Sequence, residues 1–258
     1  MILLFTSNNL ASANIAKKLM EEHGFRPGGE DEWTRGMLRM IDTHAPTVLD
    51  VPTGFDTDCL LVLSTHRSKR EGKALTAHVP GNWGAADMGG EPKTLNIAPA
   101  GRLKALMQEL RKEADRIGWD SSLEADHHGP TCQVPIMFVE IGNGEKEWAD
   151  EEAAAAVANA VMASAKRESG NPETVFGVGG GHYPRDFTKV VIESDLAVGH
   201  IAPKYAIDSL DAGMFRQAME RNVEKVSRVL ISKDETNGAQ KEKIRRLAED
   251  YGAKAELI

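Results

Sequence analysis

Cysteine is scarce: Cys59 and Cys132 are the only two in 258 residues. Two thiols cannot build a disulfide framework or a cysteine-rich zinc site, and a reducing cytoplasm is the compartment this predicts. Aromatic residues are also sparse, at 5%. No apolar run approaches the length of a membrane span, so a membrane role is not expected. The opening "MILLFTSNNL" lacks a basic leader region and reads as a buried first strand, not a signal peptide. Excess positive charge is missing too. The net charge is −8, which argues against broad nucleic-acid binding, DNA included, while leaving room for a local basic strip. Familiar signatures are absent: the dinucleotide fingerprint fails because position 182 is His, and there is no Walker A loop, no H-E-x-x-H helix and no G-x-S-x-G elbow.

What remains is an ordinary globular composition, 41% hydrophobic and 27% charged. Strand-like runs are expected at Ile2–Phe5, Val48–Val51, Cys59–Ser64, Leu123–His127, Val134–Ile141, Val175–Val178, Lys189–Ile192, Arg228–Ile231 and Ala253–Ile258. Helical spacing predicts helices over Ala11–Glu22, Arg102–Ile117, Lys146–Arg167, Ala212–Val223 and Gln240–Tyr251; Arg26–Pro46 resists assignment. This alternation predicts an α/β fold, a mixed, mostly parallel sheet with helices on both faces. One domain over 1–258, with a possible loop-rich inserted lobe at about 65–100, is the simplest organisation.

Six of the eight histidines sit in or beside Gly/Pro-rich segments near strand ends: His66, His78, His127, His128, His182 and His200. Ligands of open α/β sheets bind beyond the strand ends, and imidazole can ligate a metal or move a proton near neutral pH. Glu140 adds a carboxylate at the end of "VPIMFVEIG", where it could instead cap a helix. His127 and His128 cannot both face one site on an extended strand, so one of them is expected to be structural. His182 lies in "GVGGGHYPRDF", Gly177–Phe187, where four glycines let something approach the backbone closely. His23 and His44 lack such a setting. The run "HRSKREGK" is either a solvated loop or a strip that contacts phosphate.

The ordered motifs "STHRS", "LTAHVPGNWG", "EADHHGPT", "VEIGNGEKEW", "GVGGGHYPRDFT" and "VGHIAPKYA" resemble those of the archaeal and plant-type D-aminoacyl-tRNA deacylases, over nearly the whole chain. The resemblance implies a core like that of peptidyl-tRNA hydrolases and phosphorylases. It also implies zinc, and hydrolysis of the ester joining a D-amino acid to the 3′ ribose of tRNA. On that basis His66, His128, His182 and Glu140 are candidate metal ligands. Backbone N–H groups of Gly179, Gly180 and Gly181 are candidates for oxyanion stabilisation. His200 and Lys204 are candidates for an outer role in proton relay or phosphate contact. Arg67, Lys69, Arg70 and Lys73 are expected to hold the tRNA acceptor end. "GNGEKEW" departs from the Ser/Thr-containing form expected of the family, so Asn143–Lys146 are not placed in the site. A monomer is expected. Two rivals remain: a zinc amidohydrolase or peptidase acting on a small metabolite, indifferent to loss of Arg67 and Arg70, and a non-catalytic tRNA-binding module, inert at any zinc concentration.

Overall fold

The computed structural model describes residues 1–67, 72–167 and 170–258. The chain opens with β1 (Ile2–Phe5), α1 (Leu10–His23) and a three-stranded antiparallel run, β2 (Arg26–Gly29), β3 (Glu32–Arg35) and β4 (Leu38–Asp42). Asn9 caps α1 by accepting from Ser12 N–H at 3.0 Å, and Gly24 ends it in the left-handed region. Then come β5 (Leu60–Thr65), β6 (Ala74–His78), the short β7 (Gly81–Asn82) and β8 (Thr94–Leu95), α2 (Ala100–Ile117), β9 (Asp120–Leu123) and β10 (Ile136–Gly142). The remainder is α3 (Glu145–Trp148), α4 (Glu151–Ala165), β11 (Thr174–Val178), α5 (Arg185–Glu193), β12 (Ala197–Ala202), α6 (Lys204–Ile207), α7 (Ala212–Glu220), β13 (Val226–Ile231), α8 (Gly238–Tyr251) and β14 (Lys254–Leu257).

These strands form an eight-stranded sheet, β2-β3-β4-β1-β5-β10-β6-β9, a four-stranded sheet, β12-β11-β13-β14, and the small pair β7-β8. β1, β4, β5 and β10 run parallel, as do all neighbours in the smaller sheet; β6 joins β10 antiparallel. The mixed, mostly parallel α/β architecture expected from the sequence is therefore present.

Strand alternation divides the core. Leu61, Leu63, Met137, Val139 and Ile141 join the cluster under α1, α2 and α4, whereas Leu60, Val62, Ile136 and Phe138 face a second cluster closed by Ala45, Val48 and Val51. The far face of the large sheet is thus covered by an irregular segment. The smaller sheet has helices on both sides: Val175 and Val198 meet Phe187 and Val191 of α5, while Phe176 and Val229 meet Phe215 and Ile244 of α7 and α8. α2 joins the sheets. Its stripe of Leu103, Leu106, Met107 and Leu110 is buried, and each such side chain contributes about 2 kcal/mol of transfer free energy.

Several expectations give way. Val48–Val51 forms no strand; Val48 and Val51 are buried as packing residues of a turn. Lys189–Ile192 is helical, within α5, because Phe187 and Val191 lie one turn apart and are buried together while Lys189 and Glu193 face water. Leu123–His127 is a strand only up to Leu123, and Lys146–Arg167 is broken into α3 and α4 by Asp150, which caps α4. Arg26–Pro46, left unassigned, contributes three strands to one side of the large sheet, with β2 at its edge. The stretch 65–100, where the sequence allows a loop-rich lobe, carries β6, β7 and β8, with β6 lying between β10 and the edge strand β9 of the large sheet.

Candidate functional site

The parallel strands β5 and β10 change character along one face. Leu60, Val62, Ser64 and His66 follow each other at period two, as do Ile136, Phe138 and Glu140, with Ser64 paired to Glu140 and Phe138 to His78 of β6. Apolar residues therefore give way to polar ones toward the carboxyl ends of β5 and β10, where α/β folds bind ligands. Ser64 Oγ–H donates to Glu140 Oε1 at 2.8 Å. Gly142 makes room for the next side chain: a Cβ there would lie 3.1 Å from the His66 ring. Trp148 Nε1–H holds the His66 carbonyl at 3.0 Å.

Beyond β9 the chain stops being extended, and this brings Glu124, His127 and His128 inward. His128 has a φ of 48°, so the strand alternation expected to separate the two histidines does not apply. Their rings lie 4.3 Å apart, and each approaches His78, at 4.3 and 4.8 Å. The glycine loop after β11 brings His182, and the Ala125 N–H donates to the His182 carbonyl at 2.9 Å.

Glu124 lies at the centre, almost fully buried. His66 Nδ1 is 3.1 Å from its Oε1; His182 Nε2 and His127 Nε2 are 2.8 and 3.5 Å from its Oε2. Neither carboxylate oxygen has a directed hydrogen bond among the described residues. Glu140 lies 3.4 Å from His66 Nδ1 and 3.8 Å from His78 Nε2. The Tyr183 hydroxyl contacts His66 Nε2.

Electrostatics follows from burial opposed by pairing. Burial alone would raise Glu140, as would the neighbouring Glu124 charge, but His66 and His78 outweigh both and bring it down to about 2. Glu124 is likewise held well below the usual carboxylate range by His182 and His66 against burial. Burial would lower His66; Glu124 and Glu140 overcome it and raise the ring to about 10. His128 goes the other way, down to about 4, through burial and the nearby His78 charge.

Three overlapping sets bring donor atoms within 4.8 Å of one another: His78/His127/His128, His66/Glu124/His182 and His78/Glu124/Glu140. A tetrahedral zinc with bonds near 2.1 Å needs ligand–ligand separations of about 3.4 Å, a contraction within reach of side-chain rotation. The donor chemistry fits a metal. Both His78 nitrogens and both Glu124 oxygens are buried without a hydrogen-bond partner among the described residues. His127 and His128 donate Nδ1–H to the carbonyls of Ala125 (2.9 Å) and Gly129 (2.5 Å), the arrangement that frees Nε2 for ligation.

Of the residues singled out in the sequence, His66, His128, His182 and Glu140 converge here, divided among the three sets. Gly179 and Gly180 adopt φ of 116° and 82°, open to glycine and costly for other residues. A Cβ on Gly179 would meet Ser232 and Thr236 at 3.0 Å, so its close neighbour is the protein itself. Its N–H is committed to the Ala202 carbonyl at 2.9 Å; Gly181 is exposed. His200 lies within β12, fully buried, with Nδ1 2.5 Å from Asp126 Oδ2 and Nε2–H donated to the Arg221 carbonyl at 2.8 Å. It fixes Asp126, and so the loop carrying His127. The Lys204 side chain is exposed beside that loop's partner, and its N–H donates to the Gly180 carbonyl. Arg67 lies 5.1 Å over the Trp148 ring, and Lys73 5.1 Å over Trp119. Lys69 and Arg70 fall outside the described residues. Glu124, Asp126 and Tyr183 were not singled out in the sequence, although each adjoins a histidine motif.

A family model described as D-aminoacyl-tRNA deacylase matches residues 53–256. The chain is 32% identical over 266 residues to a D-aminoacyl-tRNA deacylase of Thermococcus kodakarensis, covering 97% of each. It is 37% identical over 204 residues to that of Ignicoccus hospitalis, covering 78% of this chain and 81% of the other. Among solved structures, a conserved protein of unknown function matches with a TM-score of 0.90 at 27% identity, over 99% of this chain and 94% of that one.

Proposed function

Because this chain belongs to the D-aminoacyl-tRNA deacylase family, we propose that it hydrolyses the ester between a D-amino acid and the 3′ ribose of tRNA, releasing both. That activity removes mischarged tRNA from translation and puts the protein in the cytoplasm. The observation that carries the reading is the convergence of His66, His78, His127, His128 and His182 on two buried carboxylates at the strand ends. Family membership disfavours the small-metabolite hydrolase and the non-catalytic module.

His182 is the most exposed of these imidazoles that contact Glu124, with its side chain 33% accessible. Its Nε2 lies against Glu124 Oε2, leaving Nδ1 to take a proton from the attacking water. Water oxygen bonds to the ester carbon, the ester C–O bond breaks, and the proton passes to the departing ribose oxygen. The Gly180 and Gly181 N–H groups are the loop donors proposed for the oxyanion. His78, His127 and His128 are the set proposed to hold zinc, because their free nitrogens face one another. When bound there, zinc would supply Lewis-acid polarisation and a more acidic water. His200 positions Asp126 and the loop it anchors. A cavity of about 320 Å³ beside His127 and His128, bordered by Trp83, Met88 and Tyr205, is the place proposed for the aminoacyl side chain. There shape alone discriminates the hand at Cα.

Incubating D-Tyr-tRNA and L-Tyr-tRNA with the protein, with and without chelator, tests this. D-selective release is expected, abolished by chelation and restored by zinc. Equal hydrolysis of both hands, or none of either, overturns the activity; chelator-insensitive D-selective release overturns only the zinc.

A further inference from the structure

A second cavity, of about 650 Å³, opens on the other side of Tyr183, between β6, β9 and α5. Four cations line it, Lys73, Arg111, Arg185 and Lys189, against two carboxylates, Asp120 and Glu193. This local excess of positive charge stands out on a chain whose net charge is −8. The cations are only partly neutralised. Lys189 reaches Glu193 at 3.9 Å and Arg111 reaches Asp115 at 3.6 Å, both within an exposed helical turn where pairing contributes little. Arg185 and Lys73 have no ion pair among the described residues. Ser121, 5% exposed, lines the same cavity, and its hydroxyl has no hydrogen-bond partner among the described residues. A buried hydroxyl left unpaired is unfavourable, so a polar ligand is the natural complement.

The cavity adjoins the reactive cluster through Tyr183. Tyr183 lines it and contacts His66 across its wall. Arg185, two residues on, opens α5 and presents its guanidinium on the same side as Lys189, one turn away. Arg185 belongs to the motif "YPRDF", which the proposed chemistry leaves unused.

We propose that this cavity holds the phosphodiesters of the single-stranded 3′ end of the tRNA, with Arg185 and Lys189 as the principal phosphate contacts and Arg111 and Lys73 flanking them. Ser121 donates to a phosphate oxygen. The proposal rests on the deacylase reading above and adds the polarity of the bound strand. The ester lies at the histidine cluster, the chain of phosphates leads away past Tyr183, and the aminoacyl group points to the opposite cavity at His127 and His128. Such contacts fix position and carry no sequence preference.

The test compares D-Tyr-tRNA with 3′-O-D-tyrosyl adenosine, an ester without phosphates, using wild type, R185Q, K189Q, the double variant and the charge-preserving R185K. With tRNA, KM should rise about tenfold per cation removed while kcat changes little. The dependence of log(kcat/KM) on log salt should become shallower by about 0.7 for each phosphate that is no longer neutralised. R185K should recover most of the loss. With the adenosine ester, the same variants should change kcat/KM less than about twofold. Equal losses on both esters, or an unchanged KM and salt slope with tRNA, would overturn the proposal. Failure of wild type to hydrolyse D-Tyr-tRNA would instead overturn the underlying activity.

Discussion

A proton on His128 is costly to the fold. Its ring is held at about 4, whereas an ordinary histidine titrates near 6.5. The unfolded chain takes up that proton first, so this contribution to stability is full above about 6.5 and lost as pH falls toward 4. The whole gap corresponds to on the order of 3 kcal/mol. His66 has the opposite sign. Raised to about 10, it stabilises fully below about 6.5, and its contribution is lost as pH rises through 10. Chelated protein should therefore melt highest near pH 6.5 and lose Tm on both sides. H128Q should flatten the acid limb of the Tm–pH curve; an unchanged limb would mean that His128 is not held neutral. Cys59 gives a separate check. Burial pushes its thiol up to about 12, so iodoacetamide at pH 8 should not label it until the protein unfolds, as read by mass spectrometry.

At the scale of elements, α5 depends on α2. Lys104 of α2 donates its ammonium to the carbonyls of Val191 (2.8 Å), Ser194 (2.5 Å) and Leu196 (3.0 Å), in and just after the last turn of α5, where the helix leaves carbonyls without partners of its own. K104M should cost about 2 kcal/mol and lower Tm by about 4–8 °C, measured by calorimetry; a shift below one degree would show that water replaces the ammonium freely. The same element shows what a sequence hides. "KVVI", Lys189–Ile192, is rich in β-branched residues and reads as a strand, and the burial of its helix against α2 and β12 decides otherwise. Glu140 was legible because it ends a long apolar strand with a carboxylate. Glu124 was not. It follows β9 in a segment that looks extended throughout, and it is one acid among 39 Asp and Glu. His127 was half legible: its residue type was plain, but its direction depended on where β9 stops.

At the scale of the molecule, the alternation of strands and helices was legible, but the division into two sheets was not, since no linker marks it. The cluster draws on both sheets, through β5, β6, β9 and β10 on one side and the loop after β11 on the other. Metal binding to donors gathered only by the fold stabilises it by linkage. Chelation should lower Tm, and zinc at about 100 times its dissociation constant should restore about 2.7 kcal/mol, or about 5–11 °C in a thermal scan. An identical Tm with and without zinc would exclude a metal from the folded cluster. E124Q, which removes the central charge, should weaken zinc binding about 10–100-fold by titration calorimetry.

The loop with Glu124 is tied to the second sheet at three points: Ala125 to the His182 carbonyl, and Asp126 to both Ile201 and His200. Ribosomal synthesis delivers these partners late. A nascent chain that has emerged only as far as β10 already holds four of the five clustered imidazoles, yet lacks the ties that aim them. Those ties form only once β12 has threaded out and docked.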